Sequence, residues 1–362
     1  MIKTLKPIDH IRMRLGMYVP TNDDGRPTKE AWDVLLHELV ADGVRAFARG
    51  EASRLEIMYN QETGEVAIGH DGPDGNMCRK IAEAFQGFGS CMGGPCESPG
   101  YEPENEVYLT RYDLLTYAIL NALSQKMTVE TYADGEWRAN VCSDGKVGPE
   151  ERLFSSLLPK DAKRFVWVRF VINPKYMSED KGLSPYSADF LQDFGRSLAG
   201  AHQGLRVVVN KHEYMFPRGI EDMVAERMAK LDSEVLMRPR MARSNGMTLA
   251  CGIVKRRSPG RKISGAAFIN GREIRNGRTL AILLHNIGNT LSDCRRLQSC
   301  NYEFVFMAAG KVSCSADGSL SSLTSLCSES MTIGTYDVNS ASSQYVLSFG
   351  RCLLKILGGF MR

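Results

Sequence analysis

Long apolar runs are missing from this sequence. No stretch of its 362 residues approaches the roughly 20 apolar residues of a membrane-spanning helix. The opening residues Met1 to Pro7 lack the apolar core of a secretory signal, so an intracellular chain with reduced thiols is expected. A dominant charge is missing too. Forty-five Lys and Arg stand against 42 Asp and Glu, a formal net charge of +3, and no global basic field argues for nucleic-acid binding. Any such contact falls to local patches, of which Arg238 to Lys262 is the densest: Arg238, Arg240, Arg243, Lys255, Arg256, Arg257, Arg261 and Lys262. A solvated basic loop is the competing reading of that stretch. Ten cysteines are present without a framework. Cys91 and Cys96 are the closest two, and no second pair follows at zinc-ligand spacing. Internal repeats are absent, and the length suffices for two domains with proper cores.

What is present centres on Trp32 to Phe47. Leu35, Leu36, Leu39, Val40, Val44 and Phe47 recur at helical spacing and predict a buried face. Thr28 suits the N-cap, and Gly50 suits the far end. Glu38 and Asp42 stand four apart, so both carboxylates point the same way. For such a pair alone, a solvated acidic face is the ordinary reading; a site is the other. Residues 1–30 read as an arm and a turn-rich loop. Arg54 to Tyr59 and Glu65 to Ile68 flank Glu62-Thr63-Gly64 as a hairpin, and Met77 to Phe88 reads as a helix. Gly87 to Pro103 is a long glycine- and proline-rich loop. Leu114 to Ser124 predicts an apolar helix. Met127 to Tyr132 and Glu136 to Cys142 predict a second hairpin, Phe165 to Ile172 a buried strand, and Asp189 to Ala201 a helix before the strand Leu205 to Asn210.

Helices interleaved with hairpins predict an α/β sandwich, one sheet with helices on one face. A second unit is expected beyond residue 220. There, strands Met247 to Val254, Gly265 to Ile269 and Tyr302 to Ala308 accompany a helix Arg278 to Thr290, making a βαβ unit. Ser313 to Ser343 is serine-rich, and Gln344 to Leu357 reads as a last strand and helix.

Three stretches in order carry a resemblance: Arg12-Met13-Arg14-Leu15-Gly16-Met17-Tyr18, then Glu38 with an acid four later, then the strand Val66 to His70 running into Asp71-Gly72-Pro73-Asp74-Gly75. Asn121-Ala122-Leu123-Ser124, Val168-Arg169-Phe170 with Pro174, Phe216-Pro217-Arg218-Gly219-Ile220 and Asn270-Gly271-Arg272 extend it over most of the chain. Together they resemble the ATPase–transducer module of DNA gyrase B and topoisomerase IV B subunits, of the GHKL superfamily. The resemblance implies a Bergerat-type α/β sandwich over residues 1–220 and a transducer domain with a βαβ crossover over 221–362. It implies ATP and Mg²⁺ as cofactors. It implies as partners a second copy or a topoisomerase subunit, and DNA through Arg238 to Lys262.

The resemblance assigns roles by position. Glu38 falls on the general base that activates water for attack on the γ-phosphate. Asp42 replaces the Mg²⁺-binding asparagine; it offers oxygen to the metal but adds negative charge beside the phosphates. His70 stands where an aspartate accepts the adenine amino group, with Asp71 as an alternative register, and Gly72 keeps a motif glycine while Asp74 replaces the next. The phosphate-lid glycines are replaced by Arg111, Leu114 and Thr116; Arg111 is left as a side chain for phosphate. Val166 replaces a threonine beside the base, and Lys311 is a candidate for the transducer lysine, with Leu323 the better-aligned residue. Gly87, Gly89, Gly93 and Gly94 offer a substitute phosphate loop. A kept scaffold with a changed site leads to the expectation of a structural or regulatory protein that does not hydrolyse ATP. The alternatives are an active ATP-dependent DNA clamp working with a separate cleavage subunit, and a nucleotide-independent DNA-binding module. The chain is also expected to end after the transducer, and seven residues before Ile8 make a short arm for subunit exchange.

Overall fold

The computed structural model describes residues 7–73, 111–133, 135–152, 163–177, 183–269, 272–273, 278–310 and 341–361. The readings at Met77 to Phe88, Gly87 to Pro103, Asn270-Gly271, Lys311, Leu323 and 313–340 lie outside these residues. Two compact units emerge. The first holds residues up to Gly195 plus Leu205–Tyr214; the second holds Arg196–Gly204 and Met215 onward.

The first unit is built on an eight-stranded sheet. Its strands are β1 (Arg54–Tyr59), β2 (Val66–His70), β3 (Ser124–Ala133), β4 (Glu136–Ser143), β5 (Lys146–Arg152), β6 (Arg164–Ile172), β7 (Arg206–Val209) and β8 (His212–Tyr214). They run in the order β5-β4-β3-β6-β2-β1-β7-β8. All neighbours are antiparallel except β1 and β7. The helices are α1 (Pro7–Met13), α2 (Lys29–Ala48), α3 (Arg111–Leu123) and α4 (Ala188–Ala201). Helix α1 and strands β5 and β8 go beyond the sequence expectations. β5 is short and polar, and it is created by pairing with β4 across the Asp144-Gly145 turn, both residues at positive φ.

Helix α2 forms as its pattern demands. The Thr28 hydroxyl accepts the Ala31 N–H at 3.2 Å, satisfying one of the orphan donors of the first turn. Leu35, Leu36, Leu39 and Val40 are buried. The burial continues one turn further than an apolar stripe would, through Asp42, Gly43 and Ala46. A helix buries a carboxylate only where something answers its charge, and that place is the end of β2.

The second unit has five strands, β9 (Val235–Ser244), β10 (Met247–Lys255), β11 (Arg261–Ile269), β12 (Arg272–Glu273) and β13 (Tyr302–Gly310), in the order β12-β11-β13-β10-β9. The other helices of this unit are α5 (Ile220–Lys230), α6 (Arg278–Ser292) and α7 (Ala341–Met361). β11 and β13 pair in parallel, joined through α6: this is the expected βαβ unit. α7 is one helix, in place of the expected strand and helix. Its apolar stripe, Phe349, Leu353, Ile356 and Leu357, packs with Leu283, Ile287 and Leu291 of α6 on Leu249, Ile253, Phe304 and Phe306. Strand β9 is also additional to the expectations, because its arginines hide the alternation. It pairs with β10 across Asn245-Gly246, two residues held at positive φ.

Candidate functional site

Asp42, Gly43 and Ala46 of α2 lie against the end of β2 and the turn after it. A Cβ built on Gly43 would stand 2.9 Å from the His70 Cβ, and one on Gly72 2.8 Å from the Ala46 Cβ. Glycine at both positions lets helix and strand end approach closely enough for side chains to meet. Asp42 and His70 are both buried, with side chains 6% exposed, and Asp42 Oδ2 lies 3.6 Å from His70 Nε2. The other carboxylate oxygen lies 3.6 Å from an Arg45 Nη2, one turn along the same helix. These are electrostatic contacts, longer than hydrogen bonds.

The histidine is oriented by its second nitrogen. Nδ1 accepts the Gly72 N–H at 3.2 Å, so the proton of a neutral ring sits on Nε2, toward Asp42. Nε2 is buried and has no hydrogen-bond partner. Burial pushes the Asp42 carboxyl up, but His70, Arg45 and Arg49 together outweigh it, and the group titrates below the usual carboxylate range.

Asp71 does different work. Its carboxylate accepts the Ser53 N–H at 2.8 Å, the Arg54 N–H at 2.9 Å and the Ser53 hydroxyl at 2.6 Å. It thereby ties the end of β2 to the start of β1. Of the two registers, His70 is the one that faces α2. Val166 stands directly across from His70 on β6.

Glu38 lies one turn before Asp42 on α2 and is half-buried. Arg111 opens α3, its side chain outside the described residues, while Thr116, further along that helix, is buried. Among the described residues no group of three or more His, Cys, Asp or Glu is arranged to hold a metal ion. Two site residues are missing from the sequence reading. Arg45 carried a signal, an i,i+3 cation after a buried acid. Gly43 carried only the oddity of a glycine within a helix.

No protein-family model matches the chain. The described folds are shared with solved topoisomerase ATPase regions. The B subunit of DNA gyrase from Myxococcus xanthus superposes with a TM-score of 0.59 at 17% identity, over 84% of this chain and 85% of that one. The 43K ATPase domain of Thermus thermophilus gyrase B, solved with an aminocoumarin, gives 0.58 at 16% identity over 98% and 91%. The ATPase region of Saccharomyces cerevisiae topoisomerase II gives 0.53 at 13% identity over 86% of each. The fold is therefore that of the GHKL ATPases with their transducer. In sequence, the chain is 26% identical to the DNA topoisomerase 4 B protein of Borreliella burgdorferi over 225 residues, 62% of this chain and 34% of that protein. It is a divergent ATPase–transducer module of the gyrase B and topoisomerase IV B kind, and it spans about a third of the length of that curated relative.

Proposed function

We propose that this chain is a structural or regulatory relative of the topoisomerase ATPase–transducer module, one that does not hydrolyse ATP and that pairs with itself or with a topoisomerase subunit. In this reading residues 1–220 are the ATPase-like domain and 221–362 the transducer-like domain. The carrying observation is the Asp42–His70 contact. By resemblance, position 42 gives oxygen to Mg²⁺ and position 70 accepts from the base. Here each group is turned on the other. The Asp42 oxygens face His70 and Arg45; the His70 Nδ1 lone pair is used by Gly72, and Nε2 faces Asp42. The donor set fits Mg²⁺ and ATP poorly, and positioning is nearly the whole of catalysis in phosphoryl transfer.

The active-clamp alternative keeps one point in its favour, Glu38 on the right face of α2. One experiment separates the two: calorimetric titration with ATP and Mg²⁺, with steady-state turnover of the wild type and Glu38→Gln. The expected result is no saturable binding and no turnover that the substitution changes. Steady hydrolysis abolished by Glu38→Gln restores the clamp.

DNA binding through Arg238 to Lys262 is a separate reading with its own observation. Arg238 and Arg240 are exposed on the edge strand β9. The Arg256 to Gly260 turn is fastened to Asn301 by the Arg256 and Gly260 N–H groups, and Arg261 donates to the Gln298 carbonyl. This sets Arg256, Arg257 and Arg261 close to the turn Arg295–Leu297, with its Arg295 and Arg296. Retention on duplex DNA without nucleotide should fall steeply with salt if these cations meet phosphates. A salt-independent or absent interaction removes this reading.

A further inference from the structure

The eight-stranded sheet has a second face. Because side chains alternate along β6 and β2, Phe165, Trp167, Arg169, Ala67 and Gly69 point away from His70 and α2. Phe165 and Trp167 are fully buried there, ring centroids 5.0 Å apart, over Gly69, whose added Cβ would meet Phe165 at 2.4 Å. Where this aromatic layer ends, a depression of about 730 Å³ opens beside the β1–β2 hairpin. Met58, Tyr59 and Ala67 supply apolar surface, and Glu62, Glu65 and Arg169 supply charge. The volume lies within the usual range of small-ligand sites.

Arg169 already has its partners. One Nη donates to Glu65 at 2.7 Å and the other to Glu130 at 3.3 Å. Glu130, on the neighbouring strand β3, is 5% exposed at its side chain, and its Oε2 is buried without a hydrogen-bond partner. Two carboxylates thus hold one guanidinium, a third carboxylate, Glu62, lines the same depression, and an oxygen remains unanswered behind them. Such a place favours an added donor with positive charge and disfavours an anion.

We propose that this depression binds an organic cation, a protonated amine or guanidinium on an aliphatic stem. Glu62 and Glu65 take the charge, and Met58, Ala67 and Tyr59 cover the stem. A guanidinium has the geometric advantage, since its planar fork matches a carboxylate. The same chemistry has two sources, a free small cation or an Arg or Lys side chain of a partner polypeptide. The depression is on the opposite face of the sheet from Asp42 and His70, so this site is independent of the nucleotide reading.

The test is calorimetric titration of the whole chain with butylguanidinium, with the peptide acetyl-Gly-Arg-Gly-amide, and with butyrate as the charge-reversed control. Butylguanidinium should bind and butyrate should not. Binding should weaken about tenfold or more, roughly 1.4 kcal/mol, in Glu62→Gln with Glu65→Gln. It should also weaken in Glu62→Lys, which supplies a tethered ammonium from an exposed position. Unchanged melting of these variants separates site loss from unfolding. Peptide binding tighter than butylguanidinium assigns the site to a partner's side chain; equal binding assigns it to a free cation. Butyrate binding as well as butylguanidinium, no cation binding, or wild-type affinity in the folded variants overturns the proposal.

Discussion

At the scale of single residues, Asp42 is the side chain whose surroundings matter most. Its carboxyl titrates below its ordinary value, held down by His70, Arg45 and Arg49 against the opposing effect of burial. A group whose folded value is depressed contributes stability above its unfolded value, about 4 for Asp, and loses it as the pH falls through the folded value. The urea midpoint of the wild type should therefore fall on acidification below about pH 4 more steeply than that of Asp42→Asn. At neutral pH the variant should be less stable by about 1–3 kcal/mol, because His70 keeps a buried donor without its anion. A flat comparison would mean that the pair adds nothing to folding. Cys251 offers a second test. Burial raises its thiol far above the ordinary range, so it should resist thiol reagents in the native state, whereas the half-exposed Cys300 reacts earlier. Mass-spectrometric mapping of early labelling sites reads the order directly.

At the scale of elements, the approach of α2 to β2 depends on a glycine that helix propensity disfavours. Gly43→Ala gains up to about 1 kcal/mol of intrinsic helix preference. It also drives a methyl to 2.9 Å from the His70 Cβ, a close contact against a buried strand. Overpacking of this kind typically costs about 1–3 kcal/mol, so net destabilisation is expected. Gly350→Ala on α7 is the control. Nothing lies within 4 Å of its added Cβ, and the same propensity gain should stabilise. Opposite signs in chemical denaturation would confirm that close packing governs the first glycine; equal stabilisation would remove that explanation. The hairpins show what local signals transmit. Gly64, Gly135 and Asp144-Gly145 all adopt positive φ, and the strands beside them pair in register.

At the scale of the whole molecule, the division into two units has an unexpected detail. α4 begins in the first unit, yet its last turn counts with the second. There Arg196 pairs with Glu226 of α5 and Gly200 lies against Met223. A chain cut after Tyr214 should therefore leave that turn without its α5 partners. The fragment 1–214 is expected to melt lower than a fragment extended through Lys230. Calorimetry of the two fragments measures this, and equal melting would assign the turn to the first unit. No helix among the described residues is long and apolar enough to cross a membrane.

Some of this was readable from the chain alone. The α2 stripe, the strands β1, β2, β6, β10 and β13, the βαβ connection and the order of family motifs are all local patterns, set by neighbours three or four residues away or by alternation. Periodicity expresses such patterns directly. β9 and α5 were not legible, because charged side chains cover one face of each and mask the period. The contacts of the site were further out of reach. Asp42 and His70 are 28 positions apart, Asp71 bonds back to Ser53 and Arg54, and Glu130 meets Arg169 across two strands. A charged residue in sequence has no stated partner. Burial and pairing come only when helix and sheet close on each other, so the tertiary structure alone decided that Asp42 is a buried, answered charge rather than one half of a solvated acidic face.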